Sequence, residues 1–214
     1  MFLEQEEYEH AKSLLDKEIS PSPLLVELAG WAKEQYNVNV IDYICDALPD
    51  GTLRMRLVLW NYKEQKLLYK KDGYGYDPVI QQTIAEKFKL MCKKYGLHEV
   101  FAEADKILVV CTTLEDELKT RILKLVDSEL KSMEGGDIWR VMRREGIVDI
   151  FYQTDAQIEE KEADGTSESI RKYCKELVAE YDLYGLWDES ILCHFISYQT
   201  FMEKYEGKWM AYWN

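Results

Sequence analysis

Residues 59–73 read LWNYKEQKLLYKKDG, and residues 151–165 read FYQTDAQIEEKEADG. The two stretches align without gaps, sharing Gln65 with Gln157 and an Asp-Gly at 72–73 and 164–165. Their surroundings repeat too. Each is followed by a helical pattern that runs to Tyr-Gly-Leu, at 95–97 and 184–186. Then comes an apolar strand, KILVVCTT or SILCHFIS, and a helix that Thr112, Thr113 or a serine can cap. The order predicts an α+β fold of two related halves, 37–134 and 137–214, with antiparallel-rich sheets, preceded by an N-terminal helical segment over 1–36. Ferredoxin-like βαβ units are the nearest common architecture.

Local signals fill in the elements. Phe2, Leu3, Ala11, Leu14 and Leu15 form the stripe of a helix over 2–18, which the prolines of SPSP at 20–23 interrupt. Leu24, Leu25, Leu28, Trp31 and Ala32 recur at helical spacing over 23–35. VNVIDYICDA and LRMRLVLWNY flank Pro49-Asp50-Gly51, the chemistry of a hairpin turn. In DPVIQQTIAEKFKLMCKKYGL, Asp77 caps, Pro78 takes the first helical position and Gly96 ends the helix. KLLYKKDG reads as a third strand or a short helical turn, and Gly135-Gly136 ends the helix that follows the ILVVC strand.

The second half shows only one clear strand, IVDIFYQ, before its helix. The C-terminal KWMAYW is the natural source of another. Alternation then places Trp209, Ala211 and Trp213 on one face, toward the core, and Met210 and Tyr212 on the other.

Composition narrows the function. The 214 residues carry a net charge of −13, are 47% hydrophobic and are 13% aromatic, which suits a folded chain with a substantial core. Such a charge repels phosphate backbones and anionic lipid surfaces, so neither nucleic acid nor membrane is an expected partner. The five cysteines are odd in number, lack CxxC spacing and mostly sit in apolar segments, which predicts free thiols in a reducing compartment. The acidic start MFLEQEEYEH lacks the pattern of a secretory signal, and no apolar run reaches membrane-spanning length. A cytoplasmic location is expected.

Residue patterns that would carry chemistry are sparse. Gly135-Gly136-Asp137 is similar to the Gly-Gly-Asp turn of nucleotide cyclases that make cyclic dinucleotides, but the acidic strand segment and phosphate-binding basic residues of that family have no match. A helix end and turn is the reading adopted. His194 adjoins Cys193 on a strand, where neighbours point to opposite faces, and His10 and His98 stand apart from cysteine. No nucleophile elbow, Walker loop or dinucleotide fingerprint occurs, so no catalytic, metal or cofactor residue is assigned. Asp42, Asp46 and Asp149 fall on or near strands, where a buried acid needs a partner.

The acidic element at 154–168 is the best binding candidate. Thr154 and Gln157 have capping-box spacing, and Asp155, Glu159, Glu160, Glu162 and Asp164 follow, with Trp187, Asp188 and Glu189 further on. Acids beside aromatics suit a docking face for a basic protein. The expected function is an acidic protein-binding module, an inhibitor, immunity or regulatory protein that occludes a basic partner. The alternative is an enzyme with a carboxylate-lined cleft between the halves, with a divalent metal as an option.

Overall fold

The computed structural model describes residues 3–144, 147–186 and 192–213, with Arg144 and Leu192 described by backbone alone. Among the described residues, ten helices and two three-stranded sheets make a mixed α/β fold. The chain divides into two compact units, residues 1–118 and 119–214, each holding one sheet.

In the first unit, α1 (Gln5–Leu15) and α2 (Pro23–Tyr36) lead into β1 (Val40–Ala47) and β2 (Leu53–Leu59). Short α3 (Tyr62–Lys66), long α4 (Pro78–Tyr95) and α5 (Glu99–Ala102) precede β3 (Leu108–Thr113). The signals for α2 and α4 act as expected. Ser22 Oγ accepts from Leu25 N–H and Pro23 follows it; Asp77 accepts from Val79 and Ile80, and Gly96 ends α4 in the left-handed region. β2 is central, antiparallel to β1 and parallel to β3. Alternation sends Met55, Leu57 and Leu59 into a core with Leu28 of α2 and Phe88 of α4. Glu27 clamps those two helices, paired with Lys94, with Lys87 at 3.4 Å and with the Tyr95 hydroxyl at 2.9 Å. The Lys94 ammonium beside it holds the Glu27 carboxyl down at about 2.

The opposite face of this sheet carries charge. Arg54 and Arg56 alternate with the core residues of β2, and Arg56 is buried. Its guanidinium meets Glu7 of α1 and stands 3.3 Å from Asp46 of β1, while Arg54 bonds Asp46 through Nε and Nη2.

The boundary between the units falls inside α6 (Leu114–Lys131). In the second unit come β4 (Ile138–Arg144), β5 (Ile147–Tyr152), α7 (Asp155–Ala163), α8 (Thr166–Tyr181), β6 (Leu192–Ser197), α9 (Tyr198–Tyr205) and α10 (Trp209–Trp213). β5 is central, antiparallel to β4 and parallel to β6. Val148, Ile150 and Tyr152 face a core completed by Ile122 and Val126 of α6 and by Cys174 and Leu177 of α8.

Both sheets therefore have one antiparallel and one parallel pair, and neither is antiparallel-rich. They share finer features. The first strand of each shifts register near its start, at Val40/Asp42 and at Ile138/Arg140. The central strand of each leads to a capped helix, with Asn61 accepting from Glu64 N–H and Thr154 from Gln157 N–H. By these caps Gln157 stands opposite Glu64, one position away from the Gln65 that identity selects. The Tyr-Gly-Leu landmarks also differ. Gly96 terminates α4, whereas α8 ends at Tyr181, before Gly185.

The C-terminal segment is a helix, which corrects the expected strand. Glu206 and Gly207 both have positive φ, and Gly207 N–H bonds back to the Phe201 carbonyl, stopping α9. A side chain at Gly207 would crowd Met202 Sδ at 2.9 Å. Lys208 O then accepts from Ala211 and Tyr212, closing one helical turn. Helical spacing joins Trp209 and Tyr212 on one face against Phe151, Ile196 and Phe201. Tyr212 is 8% exposed, while Trp213 is 43% and Met210 70% exposed. The inward pair is thus Trp209 and Tyr212. The strand that seemed missing is β4, IWRVMRR.

Candidate functional site

The acidic element divides into residues engaged within the unit and residues that face solvent. The capping box of α7 forms as its spacing requires: Gln157 N–H donates to Thr154 Oγ1, and Gln157 Oε1 accepts from Thr154 N–H at 3.0 Å. Asp155 turns inward and accepts from the Ser197 hydroxyl and, at 2.9 Å, from the Thr200 hydroxyl, joining α7 to the start of α9. Glu162 pairs with Arg171 of α8. Asp164 accepts from Thr166 at the entry to α8, bonds that hold its carboxyl below the ordinary range. Glu159 and Glu160 are exposed; Glu160 has Lys161 at 4.0 Å, and Glu159 pairs with no cation among the described residues. Trp187, Asp188 and Glu189 lie outside the described residues.

The strand carboxylates are all partnered. Asp46 belongs to the arginine network, and the Arg54 guanidinium holds it below the usual carboxylate range. Asp42 is buried, and burial pushes its carboxyl above that range against the pull of His10. His10 Nδ1 lies 2.6 Å from Asp42 Oδ2, and Tyr43 N–H donates to Oδ1 at 2.8 Å. Asp149 belongs to the second unit, where it is fully buried with His194 Nδ1 at 3.3 Å. The Tyr212 hydroxyl lies 3.3 Å from that same nitrogen.

A cleft of about 360 Å³ in the first unit runs along the outer edge of β1, with His10, Asp42, Tyr43, Cys45 and His98 on its walls. The Tyr43 hydroxyl lies 3.2 Å from His98 Nε2, and burial pushes both the Tyr43 phenol and the Cys45 thiol up to about 12. Cys45 is therefore a thiol at neutral pH, a poor nucleophile. His10 differs. In the tautomer with its proton on Nδ1, His10 donates to the buried Asp42 carboxylate and Nε2 is left as an acceptor, the arrangement of an oriented general base. The spacing of His10 and Asp42, 32 residues apart on different elements, gave no sequence signal for this pair. Among the described residues no group of three or more His, Cys, Asp or Glu is placed to hold a metal ion. No described helix is long and apolar enough to cross a membrane.

No family model matches the chain, and no curated protein or solved structure is significantly similar to it.

Proposed function

We propose that the chain is an acidic, cytoplasmic protein-binding module, built of related halves at 37–134 and 137–214, that occludes a basic protein as an inhibitor, immunity or regulatory protein. The shared strand order, register shifts and helix caps of the two sheets support the relation between the halves. One observation carries the binding reading. In a chain of net charge −13, α7 presents Glu159 and Glu160 to solvent while its other acids are tied into the fold. Charges so placed steer an oppositely charged partner and set its rate of encounter.

The expected result follows from that division. Glu159→Lys with Glu160→Lys slows association about tenfold at low ionic strength and flattens its salt dependence. The fold is unaffected, because neither residue packs in a core. Retention of basic proteins from native lysate on immobilised chain, compared between wild type and the double reversal at low and high salt, makes the check. Equal retention by both, or retention indifferent to salt, defeats the reading.

A second reading, an enzyme using carboxylate-assisted chemistry, is favoured by the His10–Asp42 pair in the β1 cleft. Hydrolysis of p-nitrophenyl acetate probes it. The expected loss on His10→Gln is on the order of a hundredfold, with Lys33→Gln, an exposed side chain of α2, as the control. Equal rates in the two variants remove this reading.

A further inference from the structure

Among the described residues β4 is an edge strand of its sheet, with β5 on one side only. Its open side is a groove of about 560 Å³, walled by the end of α6 and by residues 139–143. On that side the Val141 N–H donates to a carboxylate oxygen of Glu134, at 3.0 Å, and not to a strand. The groove carries three cations, Lys131, Arg140 and Arg143, against two carboxylates, Asp127 and Glu134, within an acidic chain. Lys131 and Arg140 line it, both exposed, and neither has a carboxylate partner among the described residues. Arg143 is bound by Asp127 at 2.7 Å. The Arg140 guanidinium rests over the Trp209 ring, 5.2 Å from its centroid, which fixes the cation at the groove's rim.

We propose that the β4 edge is a docking site for an extended acidic peptide, which adds as a strand to β4 and places carboxylates at Arg140 and Lys131. The backbone of an added strand bonds N–H and C=O groups along the edge of β4, and alternate side chains meet the residues of each face. Glu134 now holds, as a carboxylate, the position at Val141 N–H that a peptide carbonyl would take. It swings aside on binding and meanwhile shields the edge from uncontrolled strand pairing. This site uses other residues than Glu159 and Glu160 of α7 and takes a ligand of the opposite charge, so it stands or falls independently of the proposed basic partner.

The probe is a fluorescein-labelled octapeptide of alternating Glu and Val, followed by anisotropy on the full chain. Saturable binding is expected, weakened at least about tenfold by Arg140→Glu and by Lys131→Glu, and strengthened by Glu134→Ala. N-methylation of alternate peptide amides abolishes it, because strand addition needs those donors. A Lys/Val octapeptide does not bind. Thermal melts matching wild type show that the surface variants fold. The proposal is overturned if the acidic peptide shows no saturable binding, or if its binding is indifferent to Arg140→Glu or to N-methylation. Self-association of the free chain that Arg140→Glu abolishes, without peptide binding, overturns it in favour of a second copy paired edge to edge.

Discussion

Tyr212→Ala destabilises the second unit by about 3–5 kcal/mol, the usual result of truncating a large aromatic in a packed core, while Trp213→Ala changes stability by less than about 0.5 kcal/mol. The contrast follows from helical rather than strand spacing in the tail. Tyr212 is buried against Phe151, with ring centroids 5.5 Å apart, and lies 5.1 Å from Tyr205. Trp209 sits 4.3 Å from Phe201 and stacks nearly parallel to Trp139 at 6.2 Å. Trp213 touches Trp209 from outside and remains 43% exposed. Deleting residues 208–214 removes both inward rings at once and uncovers Phe151, which is fully buried in the complete chain. Loss of that layer is a large share of a stability of about 5–15 kcal/mol, so the truncated chain is expected to melt more than about 10 °C lower or to aggregate through the apolar face. Urea unfolding followed by near-ultraviolet circular dichroism compares the variants. A strand with Trp209 and Trp213 inward requires the reverse order of effects, and a costly Trp213→Ala beside a mild Tyr212→Ala would restore it.

Where punctuation is local, the sequence was readable. Ser22-Pro23, Asp77-Pro78 and Gly96 act within a few residues of the backbone they control, and the helices they bound are present. The capping box of α7 is equally local. β4 escaped notice because its signal is degraded twice. Three arginines fill IWRVMRR, and the register shift at Ile138/Arg140 breaks the two-residue alternation that marks a half-buried strand. Without a signal for β4, the apolar tail is the natural candidate for a further strand, one the sheet does not need. Gly135 and Gly136 supply the sharp reversal into β4, with φ of 130° and 55°, and Gly135 N–H bonds Ile138 O at 2.9 Å. The candidate sites were less legible than the fold. That Asp155 and Glu162 are tied inward depends on Ser197, Thr200 and Arg171, which arrive from other elements. Charge density in a sequence shows where acids are, and pairing decides which of them are available.

Arg56→Met is expected to destabilise the first unit by about 3–5 kcal/mol, whereas Glu7→Gln with Arg56→Met recovers most of that loss. The side chain of Arg56 is 5% exposed and brings α1 against the sheet through Glu7. Removing one member of a buried ion pair strands the charge of the other, at about 3–5 kcal/mol, but replacing both by neutral groups is often close to neutral. Glutamine is the informative substitute at position 7. The Glu7 carboxylate also accepts from Glu4 N–H at 2.9 Å in the capping box of α1, and glutamine retains that bond. Methionine keeps an apolar stem at position 56 and removes a guanidinium whose Nε has no hydrogen-bond partner among the described residues. Acid provides an independent readout. Asp46 has a folded-state pKa below its unfolded value, through the Arg54 hydrogen bonds first and Arg56 second. Its contribution is complete above the unfolded value and disappears as pH falls through the folded one. Wild type therefore loses stability on acidification, and the double variant loses less, because Asp46 keeps Arg54 but no longer has Arg56. Equilibrium urea unfolding of the two single variants and the double, at neutral and acid pH, closes the thermodynamic cycle. Additive single effects with no recovery in the double would mean that Glu7 and Arg56 are not coupled, and that α1 is held by its other contacts, the His10–Asp42 pair among them.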